Sequence, residues 1–490
     1  MSRRLLHGMV HAVAFAVLVS AAAPHRSAAQ IAPAEYAARR DSLAARVGDG
    51  VVVAFGAPTP VTDRGPFFQL PAFEYLTGFG EPDAAFVMVV SGGRGQPTLF
   101  LSPVDARRAF YYGRRPDSTS VRDSLGIAGR SIAALPAILD SLAGSGLPFL
   151  AIADFQAADF AAQDSLTRGQ SFMEGLAERH PGLAIEDAHP IVDQLRARKS
   201  PAEIALLEKA AEISSEGHRA AMLVENPRHE YELRAALEST FIRLGAERTG
   251  YGSIVGGGPN GTQLHYMKDM AAVGPTDLVV MDAGAEYRGY SADVTRTIPV
   301  SGVYTPEQRA IYQLVRDAQA AAERNSAPGL SQRAAQDSSV VVRRKGLAAL
   351  GLIEAEDALM DPPWPADCQK SPASCSQAQL WMIHGISHGL GLEVHDPAGY
   401  YYGDGTFQAG DVFTIEPGLY IAEASLDALP DTPRNRRFIA SVREKVRQYE
   451  NTGVRIEDDY VITPTGLRRI SMAPREIAEI EALMKSRPVS

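Results

Sequence analysis

Four apolar, β-prone runs in this chain end in a carboxylate or carry one. Leu278-Val279-Val280-Met281 ends in Asp282, the stretch from Tyr290 to Val300 carries Asp293, Val412-Phe413-Thr414-Ile415 leads to Glu416, and Gly453-Val454-Arg455-Ile456 leads to Glu457. A carboxylate that points inward from a buried strand costs several kcal/mol unless something positive meets it. Any fold this sequence adopts must therefore bring these strand ends to a source of positive charge. For the first two, a two-residue loop at Tyr287-Arg288 would set Asp282 directly opposite Asp293 on one face. Like charges that close are destabilising, and a divalent cation between them is the simplest remedy. The alternative is that one aspartate pairs with Arg296 while the other caps a turn, and that each glutamate makes a salt bridge, for instance to Arg455.

The histidines narrow the choice. His384, His388 and His395 fall within twelve residues, three of the eight histidines beyond Gln30. Such clustering favours ligands or acid–base groups over isolated core histidines. Two simpler motifs fail in this segment. The His384/His388 spacing lacks the glutamate beside the first histidine and includes glycine, so it is not a helical zinc pair. Gly385-Ile386-Ser387-His388-Gly389 fits a nucleophile elbow, but His395 is the last histidine and follows Ser387 too closely to leave room for the acid-bearing strand. Gly256-Gly257-Gly258-Pro259-Asn260-Gly261 likewise matches a dinucleotide fingerprint in letters only, because the residues after it look extended rather than helical. Its interest is His265, which follows the glycine loop. Asp282, Asp293, His388, Glu416 and Glu457 together make a set of four carboxylates and one imidazole. Such a set suits two hard or borderline cations sharing bridging carboxylates: manganese, cobalt, zinc or iron.

Composition sets the surroundings. With 490 residues, 45% hydrophobic and 22% charged, the chain can bury two or three domain cores. A net charge of -10 without a basic block argues against nucleic acid. Two cysteines exclude thiolate-rich metal sites. Residues 1–29 have the charged, apolar and small-residue order of a secretory signal, with Arg3 and Arg4, the stretch Met9 to Val19, and Ser27-Ala28-Ala29. Cleavage before Gln30 would take the net charge from -10 to -13 by removing Arg3, Arg4 and Arg26. Ser2-Arg3-Arg4-Leu5-Leu6 leaves the general and twin-arginine export routes both open. No later run is long enough to span a bilayer, so the mature chain is expected to be exported, periplasmic or secreted. Cys368 and Cys375 could then close a small disulfide.

Short apolar runs at Val51 to Phe55, Ala85 to Val90, Thr98 to Leu101 and Pro148 to Ala153 predict strands, and helical spacing appears near Ala133–Leu142 and Phe172–Arg179. Together they predict an α/β domain. Ser200-Pro201-Ala202-Glu203 spells a helix start, which places a boundary near residue 196 and divides the chain into 30–196 and 197–490.

The motifs in order resemble the aminopeptidase P and prolidase family of metallopeptidases. His384-Gly-Ile-Ser-His388-Gly-Leu-Gly-Leu-Glu-Val-His395-Asp396 fits that family's signature, flanked by Asp282-Ala-Gly, Asp293-Val-Thr-Arg-Thr, Glu416-Pro-Gly and Arg455-Ile-Glu457-Asp. Glu74-Tyr75-Leu76-Thr77-Gly78-Phe79 and Gly113-Arg114-Arg115 resemble its N-terminal creatinase-type domain. The resemblance implies an α/β chain in which a creatinase-type domain precedes a pita-bread catalytic domain. It also implies hydrolysis of the N-terminal Xaa-Pro bond of peptides by a metal-bridging hydroxide, with two divalent metal ions, manganese first among them. Asp282 would chelate one ion, Asp293 and Glu457 would bridge both, and His388 and Glu416 would complete the second. Glu416 would also shuttle a proton, His265 and His395 would contact the scissile peptide, His384 would hold the residue after the cut, and Arg455 would orient the bridging ligands. A homo-oligomer is expected from the resemblance alone. A dipeptidase restricted to Xaa-Pro and a catalytically inactive peptide-binding protein are the alternative functions. Two departures stand out: segments Ala422 to Gln448 and Asp361 to Ser376 read as insertions, and Gly389 replaces a bulky aromatic residue.

Overall fold

A computed structural model describes residues 30–60, 66–103, 105–152 and 168–487; the signal segment expected at 1–29 lies outside the described residues. The N-terminal part is built on a six-stranded mixed sheet of β1 (Gly50–Phe55), β2 (Ala85–Ser91), β3 (Arg94–Leu101), β4 (Ala128–Ser131), β5 (Phe149–Ile152) and β6 (Ile185–Asp187), in the order β4-β3-β2-β1-β5-β6. The run Val51 to Phe55 is buried throughout because both faces of β1 are covered. Val52 and Ala54 pack with Leu43, Phe73 and Leu76, whereas Val51, Val53 and Phe55 pack with Leu139, Met173 and Leu176. The strands read from sequence lie on β1, β2, β3 and β5, and the two helical stretches lie in Leu135–Ala143 and Arg168–Arg179.

Helix Pro33–Val47 escapes a reading by hydrophobic spacing because two arginines sit on its buried face. Arg39 and Arg40 donate to the carbonyls of Tyr75 and Leu76 at 3.2 and 2.9 Å, so their charges satisfy the open C-terminal turn of helix Pro71–Thr77. The predicted helix start is present as a reciprocal capping box. Ser200 Oγ accepts from the Glu203 N–H and the Glu203 carboxylate from the Ser200 N–H, opening helix Pro201–Met222.

The C-terminal part holds four small antiparallel sheets. They comprise β7 (Arg248–Thr249), β8 (Ile254–Gly257), β9 (Leu278–Asp282), β10 (Ala285–Tyr287), β11 (Tyr290–Ser291), β12 (Thr295–Pro299), β13 (Val412–Ile415), β14 (Gly418–Ile421), β15 (Thr452–Arg455), β16 (Asp458–Thr463) and β17 (Gly466–Arg469). A bridge between Thr295 and Glu457 links β12 to the β15–β16 corner. Helices Pro201–Met222, Glu230–Arg243 and Pro306–Arg324 pack Ile213, Leu237, Phe241, Ile311 and Val315 against Val279, Met281, Val454 and Ile456. The polar ends of the strands are left for the opposite side.

The β9–β12 hairpin corrects one sequence expectation. Its two-residue loop is Arg288-Gly289, with φ of 52° and 80°, rather than Tyr287-Arg288. A tight hairpin turn needs positive φ at both central residues, which glycine accepts and a bulky tyrosine resists. The register therefore pairs Asp282 with Thr295, not with Asp293. The displacement is two residues, so Asp282 and Asp293 still share a face, diagonally. Gly284 makes the crossing possible, since a Cβ there would stand 1.8 Å from the Ala292 carbonyl oxygen.

The two insertions form one unit. Helix Pro433–Gln448 sends Phe438, Val442 and Val446 into the main core. Asp361, at the start of the other insertion, accepts from Thr432 at 2.6 Å, donates its N–H to Asn435 at 2.9 Å and pairs with Arg434. A disulfide joins Cys368 to Cys375 across that second segment. Among the described residues, no helix is long and apolar enough to cross a membrane.

Candidate metal centre and active site

The strand ends converge as their cost demanded. One ligand atom each from Asp293, His388 and Glu457 can be chosen so that all lie within 4.8 Å of one another. His388 Nε2 stands 3.4 Å from Asp293, 3.5 Å from Glu416 and 3.8 Å from Glu457. Asp282 joins through Tyr251, whose hydroxyl lies 2.5 Å from a carboxylate oxygen of each aspartate. One phenolic proton cannot serve two carboxylates, so this contact leaves an oxygen in need of a cation. Glu457 repeats the pattern: Oε2 accepts from Thr295 at 2.7 Å, while the buried Oε1 has no hydrogen-bond partner.

Arg455 knits the far wall. Its guanidinium pairs with Asp282 and donates to the Tyr420 hydroxyl at 2.7 Å and to Thr295 at 3.0 Å. Arg455 thus partners Asp282 rather than Glu457, and Arg296 pairs with Asp458 at 2.6 Å, which leaves Asp282 and Asp293 free of it. Tyr420 reaches His384 Nε2 at 2.8 Å, and His384 Nδ1 lies 3.5 Å from Glu416. His395 packs its ring on that of His388, centroids 4.1 Å apart. His265 sits on an exposed loop within electrostatic reach of His384 and His395. Ser387 Oγ is 3.2 Å from the Tyr400 hydroxyl and belongs to no nucleophile–base pair. The glycine run forms β8 and a short 3₁₀ turn, Gly258–Thr262, with no helix to receive a pyrophosphate.

Crowding four carboxylates into a buried corner distorts their protonation. Burial raises Glu416 to about 7 and Asp282 to about 6, and pushes Glu457 well above the usual range with help from Asp293 and Glu416. Burial acts the same way on Asp293, but His388, Tyr251 and Arg455 outweigh it and hold its pKa down. For His388, burial works against the charge, yet Asp293 and Glu416 lift it to about 9. Burial and the neighbouring His388 lower His395 to about 4. The acids of this corner are short of positive charge, with one guanidinium and one imidazolium among four carboxylates. The donor set fits one or two divalent cations, with Asp282, Asp293, His388, Glu416 and Glu457 as the residues that would hold them.

Sequence reasoning missed Tyr251, Tyr420, Thr295 and Asp459. Asp459 takes the Asp293 N–H on its carboxylate at 3.2 and 3.3 Å. Alternation along the segment after Glu416 was a usable signal for Tyr420, since residues 416, 418 and 420 share parity. For Tyr251 no local signal existed.

Residues 205–464 match the family described as Metallopeptidase family M24, and residues 36–146 match the Aminopeptidase P, N-terminal domain. The chain belongs to metallopeptidase family M24. It is therefore a hydrolase of the metallopeptidase class, with an α/β N-terminal domain preceding a pita-bread domain. It is 33% identical to the Xaa-Pro aminopeptidase of Escherichia coli K12 over 468 residues, covering 93% of this chain and 98% of that one. It is 34% identical to the Xaa-Pro aminopeptidase of Haemophilus influenzae over 429 residues, 86% of this chain and 89% of that one. Among solved structures, zinc-substituted E. coli aminopeptidase P in complex with product superposes with a TM-score of 0.77 at 30% identity, covering 94% of this chain and 100% of the other. Pseudomonas aeruginosa aminopeptidase PepP gives 0.75 at 30% identity, covering 94% and 99%. For this M24 chain the buried acidic corner is the expected place of a divalent metal.

Proposed function

We propose that this protein is a dinuclear-metal aminopeptidase that removes the N-terminal residue from peptides with proline in second position. The observation that carries the reading is the convergence of Asp293, His388 and Glu457, with Asp282 and Glu416 beside them, on a corner short of positive charge. Two divalent ions held there, manganese first and zinc, cobalt or iron otherwise, would acidify a shared water and polarise the scissile carbonyl. Asp282, Asp293, His388, Glu416 and Glu457 are the residues that would hold them, with Asp293 and Glu457 the two that would serve both ions, Asp282 the first, and His388 and Glu416 the second. Arg455 and Tyr420 keep Asp282 and His384 in place. The nitrogen leaving from proline is a tertiary amide nitrogen in the substrate and must gain a proton to depart. Glu416, 3.5 Å from both His384 and His388, is placed to carry that proton, and His395 to stabilise the departing amine. His384 holds the residue after the cut and His265 contacts the peptide from the rim.

The same reading has the protein exported after cleavage before Gln30, a setting that the Cys368–Cys375 disulfide suits. It also has the protein act as a homo-oligomer, for which the exposed Phe110 and Tyr111 of helix Ala106–Tyr112 offer apolar surface. Mass spectrometry of Arg-Pro-Pro, Gly-Pro and a proline-free tripeptide after incubation with the manganese-loaded protein tests the activity. Free arginine from the first, abolished by chelator, is the expected result. Cleavage of Gly-Pro alone would make it a dipeptidase, and no cleavage with any metal would make it a peptide-binding member of the fold.

A further inference from the structure

Glu230 is fully buried at the start of helix Glu230–Arg243, and among the described residues no cation pairs with it. Its charge is met by four donors instead. Oε1 accepts from the Gly257 N–H and from Asn260 Nδ2, both at 2.9 Å. Oε2 accepts from the Tyr266 hydroxyl at 3.0 Å and from the Ala271 N–H at 2.8 Å. A carboxylate satisfied on both oxygens by neutral donors is a strong local organiser, because losing any donor exposes a buried charge. All four donors lie on one stretch of chain, two before His265 and two after it.

The opposite side of this loop is fixed as well. A Cβ on Gly453 would stand 1.8 Å from the Gly261 carbonyl oxygen, so the loop lies directly on β15, the strand that carries Arg455. Asp269 adds a second tie, accepting from the Val255 N–H at 3.0 Å and from Arg234 at 3.2 Å. His265 itself is exposed, so its place is set by the two roots of its loop. Both roots end on one carboxylate.

We propose that Glu230 is the positioning residue for His265, holding the loop 257–271 so that the imidazole faces the peptide beside His384 and His395. The inference rests on the reading that His265 contacts the substrate. A double-mutant cycle in the full-length, metal-loaded protein tests it, with Glu230→Gln, Tyr266→Phe and His265→Ala measured on Arg-Pro-Pro. Glu230→Gln is expected to lower kcat/KM by about tenfold and Tyr266→Phe by about threefold, at unchanged metal content. In the His265→Ala background each further loss should shrink to within about twofold, the mark of two residues acting through one contact. Amide hydrogen exchange over 257–271 should quicken in Glu230→Gln and stay unchanged over β9 and β12. Equal losses in both backgrounds, or no loss from Glu230→Gln where His265→Ala is severe, would overturn the proposal alone. Full turnover by His265→Ala would overturn the assignment of His265 and the proposal with it. If Glu230→Gln fails to fold, Tyr266→Phe carries the same cycle, since it removes a single bond at the loop.

Discussion

Asp293 sits where three demands meet: His388 at 3.4 Å, the Tyr251 hydroxyl at 2.5 Å, and its own N–H bound by Asp459. A side chain so placed cannot be removed without unsettling its neighbours. Asp293→Ala and Glu457→Ala should each lose metal and activity together; elemental analysis finding full metal occupancy in either variant would sink the bridging assignment. His395→Ala should keep its metal and lose turnover, because the ring packs at a tilt against that of His388 without joining the acidic cluster; unchanged kcat would remove it from the mechanism. Tyr420→Phe deletes the one hydroxyl that links Arg455 to His384. Loss of such an outer partner costs about 10–100-fold in activity with the fold intact, to be read as kcat/KM on Arg-Pro-Pro beside an unaltered melting curve. At this scale the sequence was most informative about acids and histidines, since inward carboxylates at strand ends announce themselves by their cost. Tyr251 and Asp459 were silent because their partners lie 31 or more residues away and are set by folding alone.

Backbone crossings govern the elements. At Gly284 and Gly453 a Cβ would fall 1.8 Å from a facing carbonyl oxygen, far inside van der Waals contact. Gly453→Ala should therefore push β15 off the 258–262 turn and destabilise the protein by about 2 kcal/mol or more, measurable as a lower denaturant midpoint; a midpoint equal to the parent's would show that the strands give way freely. Strands β1, β2, β3 and β5 were legible from their apolar runs, whereas β4 and β6 were not, because these edge strands are short, polar and largely exposed. Helix Pro33–Val47 was not, because its buried arginines serve carbonyls of another helix, and that service is invisible to periodicity. The hairpin register failed by two residues for a local reason, the wrong choice of which pair could hold positive φ. The disulfide segment and helix Pro433–Gln448, read separately as insertions, are joined by Asp361.

Across the whole molecule, Asp396 is the joint. Arg196, at the end of helix His189–Arg196, donates to it at 2.5 Å, and Lys199, just before helix Pro201–Met222, at 2.8 Å. Burial would raise the Asp396 pKa, but these two cations overcome it and hold the carboxyl below its ordinary value. A depressed folded-state pKa means that the stabilisation is present above the unfolded value near 3.9 and is lost as pH falls through the folded one. Acid below about pH 4 should thus loosen the joint, and Asp396→Asn should remove that part of the acid dependence while costing about 3–5 kcal/mol at neutral pH by leaving the buried Lys199 without its carboxylate and Arg196 to Glu393 and Asp193. Unfolding curves collected between pH 3 and 7 would show both effects, and parallel curves for variant and parent would refute the assignment. Asp396 also directly follows His395 in the chain, so one of the contacts that tie the N-terminal part to the catalytic part, beside Arg39–Glu203 and Ser200–Glu35, reaches the neighbour of a site histidine. Grafting a different N-terminal part onto such a chain would have to keep a cation at the place of Arg196, because that guanidinium grips the neighbour of His395.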